Sequence, residues 1–200
     1  MADKLDNEQT LIAAAQGGDL DAFNQLVLFY QDTVFSVAYR IMGDAERAAD
    51  AAQDAFITAY RRLETYRGGV FRAWLLRIAT NTCYDTLRYH KRRPTTALDD
   101  LAPDDSDDGP PIPDETSVSP EQAALNSELN AAIQRCINGL SDDQRVTLVM
   151  SDIEGYNYHE IADVTGVELG TVKSRLSRAR AGLRRCLQAV QELLPPAYRL

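Results

Sequence analysis

Between Thr95 and Pro120 the chain reads TTALDDLAPDDSDDGPPIPDETSVSP, with five prolines, eight acids, no base and no aromatic residue. Such a composition buries too little apolar area to offset the entropy of ordering it. No hydrophobic core can therefore run through the middle of the 200 residues. The reading that follows is two compact domains, residues 1–94 and 121–190, on an acidic linker at 95–120, with 191–200 as a tail.

The linker also accounts for the net charge of −9. Residues 1–94 balance 12 Lys and Arg against 12 Asp and Glu, residues 121–200 carry 9 against 10, and the linker carries 0 against 8. An acidic total argues against a nucleic-acid partner when spread over a chain, because phosphate binding draws on Lys and Arg. Here it is confined to the linker and says nothing about the domains.

The remaining composition, 44% hydrophobic and 26% charged, is that of an ordinary soluble globular protein. Cys83, Cys136 and Cys186 have no Cys-x-x-Cys pairing, and His90 and His159 are the only histidines. That pattern builds neither a zinc site nor a disulfide framework, so the cysteines are expected as buried small hydrophobes, with a redox-responsive thiol as the alternative. No metal, cofactor or catalytic constellation is expected. The first residues, MADKLDNEQT, are polar, and the longest apolar-aromatic run is Leu26 to Tyr30. Neither a signal peptide nor a membrane span is expected, which points to a cytoplasmic protein.

Apolar residues before the linker recur at helical spacing: Phe23, Leu26, Val27, Tyr30, Val34, Val37 and Ile41, then Ala48 to Leu63, then Phe71 to Leu87. Gly17-Gly18, Gly43 and Gly68-Gly69 punctuate them. This predicts helices over 8–16, 20–42, 44–64 and 70–91 and no strand. After the linker, Ser119-Pro120-Glu121 is a helix start. Ser141 with Gln144 is a capping box that opens a helix ending near Gly155, and Asn157 with Glu160 is a second such box. The second box opens a helix of about eight residues stopped by Gly166, and a last helix runs from near Leu169 to about Leu194, before Pro195-Pro196. The fold class is all-α.

Tyr158 to Arg185 reads YHEIADVTGVELGTVKSRLSRARAGLRR, a short amphipathic helix, a turn at Gly166 and a long second helix. Val172, Leu176, Ala179 and Leu183 mark the buried side of that second helix. Lys173, Arg175, Arg178, Arg180, Arg184 and Arg185 occupy the rest, with no acid between Glu168 and Glu192. A solvated helix with basic decoration is the plain alternative; the missing acids and the helix-turn-helix spacing favour DNA. Lys173, Ser174, Ser177 and Arg178 lie where such a helix presents side chains to base edges. Arg175, Arg180, Arg184 and Arg185 are expected on phosphates or on a protein partner.

In Phe71 to Pro94, the residues Arg77, Asn81, Tyr84, Arg88 and Lys91 form one helical stripe, with Phe71, Leu75, Ile78, Ala79, Thr82 and Thr86 opposite. Guanidinium, amide and aromatic groups in one line suit single-stranded nucleic acid, where each stacked base contributes about 1–3 kcal/mol. A solvated face is the alternative, and Trp74 reads as a core residue. The helix from Asp44 to Leu63 has alanine at 45, 48, 49, 51, 52, 55 and 59 among Asp50, Gln53, Asp54, Phe56 and Tyr60. Its small side admits either a docked partner helix or burial within its own domain.

Four segments in order, DAFNQLVLFYQDTVF (21–35), DAAQDAFITAYRRL (50–63), YRGGVFRAWLLRIATNTCYDTLRYHKRRP (66–94) and GYNYHEIADVTGVELGTVKSRLSRARAGLR (155–184), resemble the extracytoplasmic-function (ECF) sigma factors. This is the sigma-E-like group of the sigma-70 family, and the resemblance spans residues 8–190. It implies a sigma-2 domain before the linker and a sigma-4 domain after it. It implies docking on core RNA polymerase, at the β′ clamp coiled coil and the β flap, with Asp50, Gln53, Asp54, Phe56 and Tyr60 on the clamp.

The resemblance also implies that Tyr66, Arg67, Phe71 and Arg72 belong to a loop taking a flipped-out base of the −10 element. Arg77, Asn81, Tyr84, Arg88 and Lys91 would contact the opened single strand. Thr171, Lys173, Ser174, Arg175, Ser177 and Arg178 would meet duplex DNA at the −35 element. An anti-sigma partner is implied as well, and no membrane association of its own. The rival expectation is a helix-turn-helix repressor or activator with an N-terminal sensing or dimerisation domain.

Overall fold

The computed structural model describes residues 7–92 and 120–190, with side chains from 127 onward in the second stretch. The linker, the Ser119 helix start, the packing of Leu125 and the Pro195-Pro196 stop lie outside the described residues. The chain divides into two compact units, Met1–Asp85 and Thr86–Leu200. The division falls inside a helix that is continuous from Phe71 to Arg92. Every regular element among the described residues is helical.

The first unit holds α1 (Glu8–Gln16), α2 (Leu20–Met42), α3 (Ala45–Arg62) and most of α4 (Phe71–Arg92). Asp19 starts α2 by accepting the Ala22 backbone N–H at 3.0 Å, and Asp44 starts α3 by accepting that of Arg47 at 2.7 Å. Gly43 ends α2 at φ 76°, a left-handed position that glycine takes without steric cost. The apolar stripe read from sequence becomes the core: Phe23, Leu26, Tyr30, Val34, Val37 and Ile41 are all buried, each large aliphatic contributing roughly 1.5–3 kcal/mol.

Against that stripe α3 lays Ala48, Ala51, Ala52, Ala55 and Ala59, all buried. The small side of α3 is therefore spent inside the domain, and the opposite side is left exposed. A single 3-10 turn, Leu63–Thr65, carries the chain from α3 towards α4.

The second unit contains α5 (Pro120–Asn138), α6 (Asp142–Leu148), a π turn at Val149–Ile153, α7 (Tyr158–Thr165) and α8 (Leu169–Ala189). Its core joins Ile137, Leu140, Leu148, Leu176 and Ala179, with Ile133, Tyr158 and Leu183 packed against them. Asn157 and Glu160 form the expected capping box, with both reciprocal bonds present. Ser141 does not: its side chain makes no cap bond, although its backbone still starts α6. The acid that turns back there, Asp142, instead accepts from Arg145 at 2.7 Å. The helix expected to run on to Gly155 changes to π geometry after Leu148, and α8 ends at Ala189 rather than near Leu194.

A further expectation is overturned. Cys136 on α5 and Cys186 on α8 form a disulfide, with Cα atoms 5.6 Å apart. Their separation of 50 residues hid the pairing, because nothing in the sequence says that α5 and α8 lie side by side. Gly182 lets α8 lie close to Leu140, just beyond the end of α5, since a Cβ there would stand 3.0 Å from Leu140 Cδ2. Cys83 is the buried small hydrophobe the sequence suggests, and burial pushes its thiol up to about 12.

Candidate nucleic-acid interface

The second unit builds a helix-turn-helix. α7 stops at Gly166, whose φ of 66° turns the chain and whose N–H bonds the Ala162 carbonyl. α8 then starts at Leu169 and anchors on Val172, Leu176 and Ala179, all buried. Thr171, Lys173, Ser177 and Arg178 stand exposed at its N-terminal half, and Ser174 is half-buried with its hydroxyl donating to the Thr171 carbonyl at 2.9 Å.

Two arginines expected on DNA or a partner are occupied within the unit. Arg175 is half-buried and pairs with Asp143 at 3.0 Å. Arg180 forms a two-pronged pair with Asp152, Nε at 2.9 Å and Nη2 at 2.7 Å. The Arg180 guanidinium holds the Asp152 carboxyl below the usual carboxylate range, against the opposing pull of partial burial. Counting bases along α8 overstated its outward charge because the acids that answer two of them sit 28 and 32 residues away. Arg184 and Arg185 remain exposed.

In the first unit, Asp50, Gln53, Asp54 and Tyr60 lie exposed on the side of α3 away from its alanines, with Phe56 half-buried. Ile57, not singled out in the sequence, joins them at 42% exposure. Carboxylates beside Ile57 and Tyr60 make a mixed acidic and apolar face. Tyr60 is braced from below, its ring centroid 5.0 Å from that of Phe23.

The loop between Thr65 and α4 bears on the first unit's other surface. Gly68 and Gly69 take φ of 99° and 96°, and Val70 is 69% exposed. Tyr66 and Phe71, expected to meet nucleic acid, are instead buried. Tyr66 packs on Phe71 and Trp74 at ring distances of 5.4 and 5.5 Å, and its hydroxyl donates to the Gly69 carbonyl at 2.7 Å. They are the floor of the loop. Its outer surface is Arg67, the glycines, Val70 and Arg72, all exposed, with Trp74 half-buried at the edge.

Along α4 the expected stripe is partly corrected. Arg77, Arg88 and Lys91 are exposed and Asn81 is half-buried, its Oδ1 without a hydrogen-bond partner, but Tyr84 is buried. The buried arc of α4 takes in Leu76, Thr80, Cys83, Tyr84 and Leu87 as well as the side the sequence assigned to the core. An amphipathic count from one helix fixes the direction of its apolar side but not the width of the buried arc.

Another missed residue is Gln16, the last of α1. Its Nε2 donates to the Leu63 carbonyl at 2.9 Å and to the Tyr66 carbonyl at 3.1 Å. No sequence signal marks a contact reaching 47 and 50 residues along the chain. Among the described residues no cluster of His, Cys, Asp or Glu is arranged to hold a metal ion, and no helix is long and apolar enough to cross a membrane.

Comparison with known proteins bears on both units. Residues 26–93 match the family model for Sigma-70 region 2, and residues 130–183 that for Sigma-70, region 4. The chain is 38% identical over 186 residues to the RNA polymerase sigma-H factor of Pseudomonas aeruginosa, covering 92% of this chain and 95% of that protein. It is 35% identical over 178 residues to the ECF RNA polymerase sigma-E factor of Escherichia coli K12, covering 88% and 92%. Among solved structures it resembles the sigma factor RpoE of Bartonella quintana in complex with the anti-sigma factor NepR. The TM-score is 0.59 at 26% identity, covering 82% of this chain and 96% of that one.

Proposed function

This chain belongs to the sigma-70 family as an ECF sigma factor, a protein that directs RNA polymerase to promoters, and from that premise we propose how its residues divide the work. Residues 1–94 act as the sigma-2 domain and 121–190 as the sigma-4 domain, with 95–120 as the tether that spans the distance between the two promoter elements. The protein supplies recognition and strand-opening contacts. Bond making stays with the polymerase, in the cytoplasm.

Asp50, Gln53, Asp54, Ile57 and Tyr60 on the free side of α3 dock on the clamp of the core enzyme. Their support is the burial of the alanine side, which leaves this face for a partner. Carboxylates set the orientation of docking, and the apolar pair Ile57 and Tyr60 supplies the area that loses water.

Thr171, Lys173, Ser177 and Arg178 enter the major groove at the −35 element, Arg178 and Lys173 as donors to base edges or phosphates. Ser174 and Arg175 support them from the helix flank, Arg175 by fixing α8 against α6 through Asp143. Arg184 and Arg185, at the far end of α8, meet phosphate or the β flap. An anti-sigma factor occupies one or both DNA and polymerase faces when the protein is held inactive.

At the −10 element the loop Arg67 to Arg72 receives an extruded base, and Arg77, Asn81, Arg88 and Lys91 follow the opened strand. Extrusion costs a few kcal/mol, which stacking at about 1–3 kcal/mol per base and hydrogen bonds offset. Opening driven by binding alone then needs no nucleotide hydrolysis. Tyr66 and Phe71 hold the loop's floor rather than meeting the base first.

The observation that carries this reading is the coexistence, in one chain, of a helix-turn-helix with exposed Lys173, Ser177 and Arg178 and a separate helical unit bearing the α3 face and the glycine loop. A mobility-shift assay with and without core polymerase tests it. The expected result is weak promoter binding by the free protein and strong binding with core enzyme present. Tight operator binding by the free protein, unchanged by core enzyme, would instead indicate a helix-turn-helix repressor or activator.

A further inference from the structure

We infer that α1 is a brace for the base-accepting loop, with Gln16 as the positioning residue, an inference that rests on reading Arg67 to Arg72 as that loop. The Gln16 amide spends donor capacity on two carbonyls, Leu63 at 2.9 Å and Tyr66 at 3.1 Å, the first residue of the 3-10 turn where the chain leaves α3 and the residue that follows it. These carbonyls set where the next residues begin. From Tyr66 the chain makes two left-handed glycines and reaches Val70, and the Tyr66 hydroxyl returns to the Gly69 carbonyl at 2.7 Å. Fixing Tyr66 therefore fixes both ends of the loop.

A second route runs from the same helix. Glu8 accepts a hydrogen bond from the Tyr30 hydroxyl, and the Tyr30 ring lies 5.7 Å from that of Phe71, the first residue of α4. α1 itself is held down by Leu11, Ile12 and Ala15, all buried. It thus touches the loop's entrance through Gln16 and its exit through Tyr30 and Phe71.

The physical reason for a brace lies in the glycines. Gly68 and Gly69 provide positive φ at no steric cost but carry the largest backbone freedom of any residue. A Cβ added at either would meet nothing within 4 Å, so packing does not order them. A loop that must present a preformed pocket to an unstacked base binds more tightly when its disorder is removed beforehand. Gln16 orders it from outside, leaving the outer surface clear.

The test uses the full chain assembled with core polymerase. Its template is a promoter mapped by transcript-start sequencing after overexpression and prepared as a fork opened at −10. Each non-template −10 position is supplied with its base or as an abasic site, and the loop's contribution is the ratio of affinities for the two templates. Gln16→Ala and Gln16→Met, the latter keeping the apolar stem, are expected to lower the ratio at the captured base by about 5- to 30-fold, the effect of losing one or two hydrogen bonds. Core affinity and thermal midpoint should stay close to wild type, and Gln16→Lys, which keeps a donor of similar reach, should restore part of the ratio.

An unchanged ratio in Gln16→Ala and Gln16→Met overturns the brace while leaving the loop reading intact. So does an equal loss on base and abasic templates, which marks a merely structural role. If the wild-type protein shows no base-to-abasic preference at any position, the loop reading itself fails and the brace fails with it.

Discussion

Reducing the Cys136–Cys186 bond should destabilise the second unit and leave the first untouched. The two cysteines stand 50 residues apart, and the loop-closure estimate, 2.1 plus 1.5R times the logarithm of that length, is roughly 14 cal/mol/K, or about 4 kcal/mol at room temperature. That is a large share of the ~5–15 kcal/mol that holds a domain of this kind together. One observable separates the units. Trp74 is the single tryptophan and lies in the first unit, so its fluorescence follows that unit alone, whereas far-ultraviolet circular dichroism follows the helices of both.

In urea, oxidised protein should show the dichroism transition of the second unit at a clearly higher midpoint than dithiothreitol-treated protein or Cys186→Ser, with the Trp74 transition at the same midpoint in all three. Thiol titration in denaturant should find one thiol, Cys83, before reduction and three after. Three thiols in the oxidised protein, or a dichroism profile indifferent to reductant, would refute the pairing. A parallel shift of the Trp74 transition would refute the expectation that the first unit is untouched.

Other expectations are more local. Ala55→Leu forces a larger side chain into the fully buried seam of α2 and α3, at a cost of about 1–3 kcal/mol, read as a lower urea midpoint of Trp74 fluorescence with no change in the second unit. Arg178→Ala should weaken holoenzyme binding at the −35 element by about 1–3 kcal/mol and relax preference at one base pair, measured against a panel of single substitutions. Asp152, whose carboxyl Arg180 holds below the usual range, adds stability that is full above its unfolded value near ~3.9 and is lost as pH falls through the lower folded value. Both partners are partly exposed, so Asp152→Asn should cost under about 1 kcal/mol near neutrality, and its urea midpoint should converge with wild type in acid. The same substitution frees Arg180, and if that group then reaches phosphate, the slope of log affinity against log salt should steepen by roughly 0.9; an unchanged slope would mean that Arg180 does not reach the backbone.

What the sequence disclosed was whatever is written locally. The first three helix bounds, the Asn157 and Glu160 box, the glycine stops and the buried stripe of α2 all depend on residues within a turn or two of one another. The exposure of Asp50, Gln53, Asp54 and Tyr60 was legible for the same reason, since alanine spacing separates the two sides of α3. The misses share the opposite property. Cys136 with Cys186, Gln16 with Leu63 and Tyr66, Arg175 with Asp143, and Arg180 with Asp152 each join residues at least 28 apart. Their partners are set by which helices become neighbours, a property of the whole domain. Tyr66, Phe71 and Tyr84 illustrate the same limit for aromatics, which suit a base and a core equally well until neighbouring packing decides.

The charge of α8 shows why this matters for function. Six bases with no interleaved acid read as one DNA-facing surface, yet two of the six are answered from α6 and the π turn. The paired arginines tie α8 to α6 and to the π turn, and the disulfide ties it to α5. The exposed residues at its N-terminal half thus sit on a helix tied at three places to its own unit. On the proposed −35 contacts, positions 175 and 180 trade outward charge for orientation, which would raise the discrimination of each base contact and lower the salt-dependent affinity of the helix for any duplex. For a protein whose promoter search is made together with a polymerase, weak indiscriminate binding by the free chain is the useful direction of that trade.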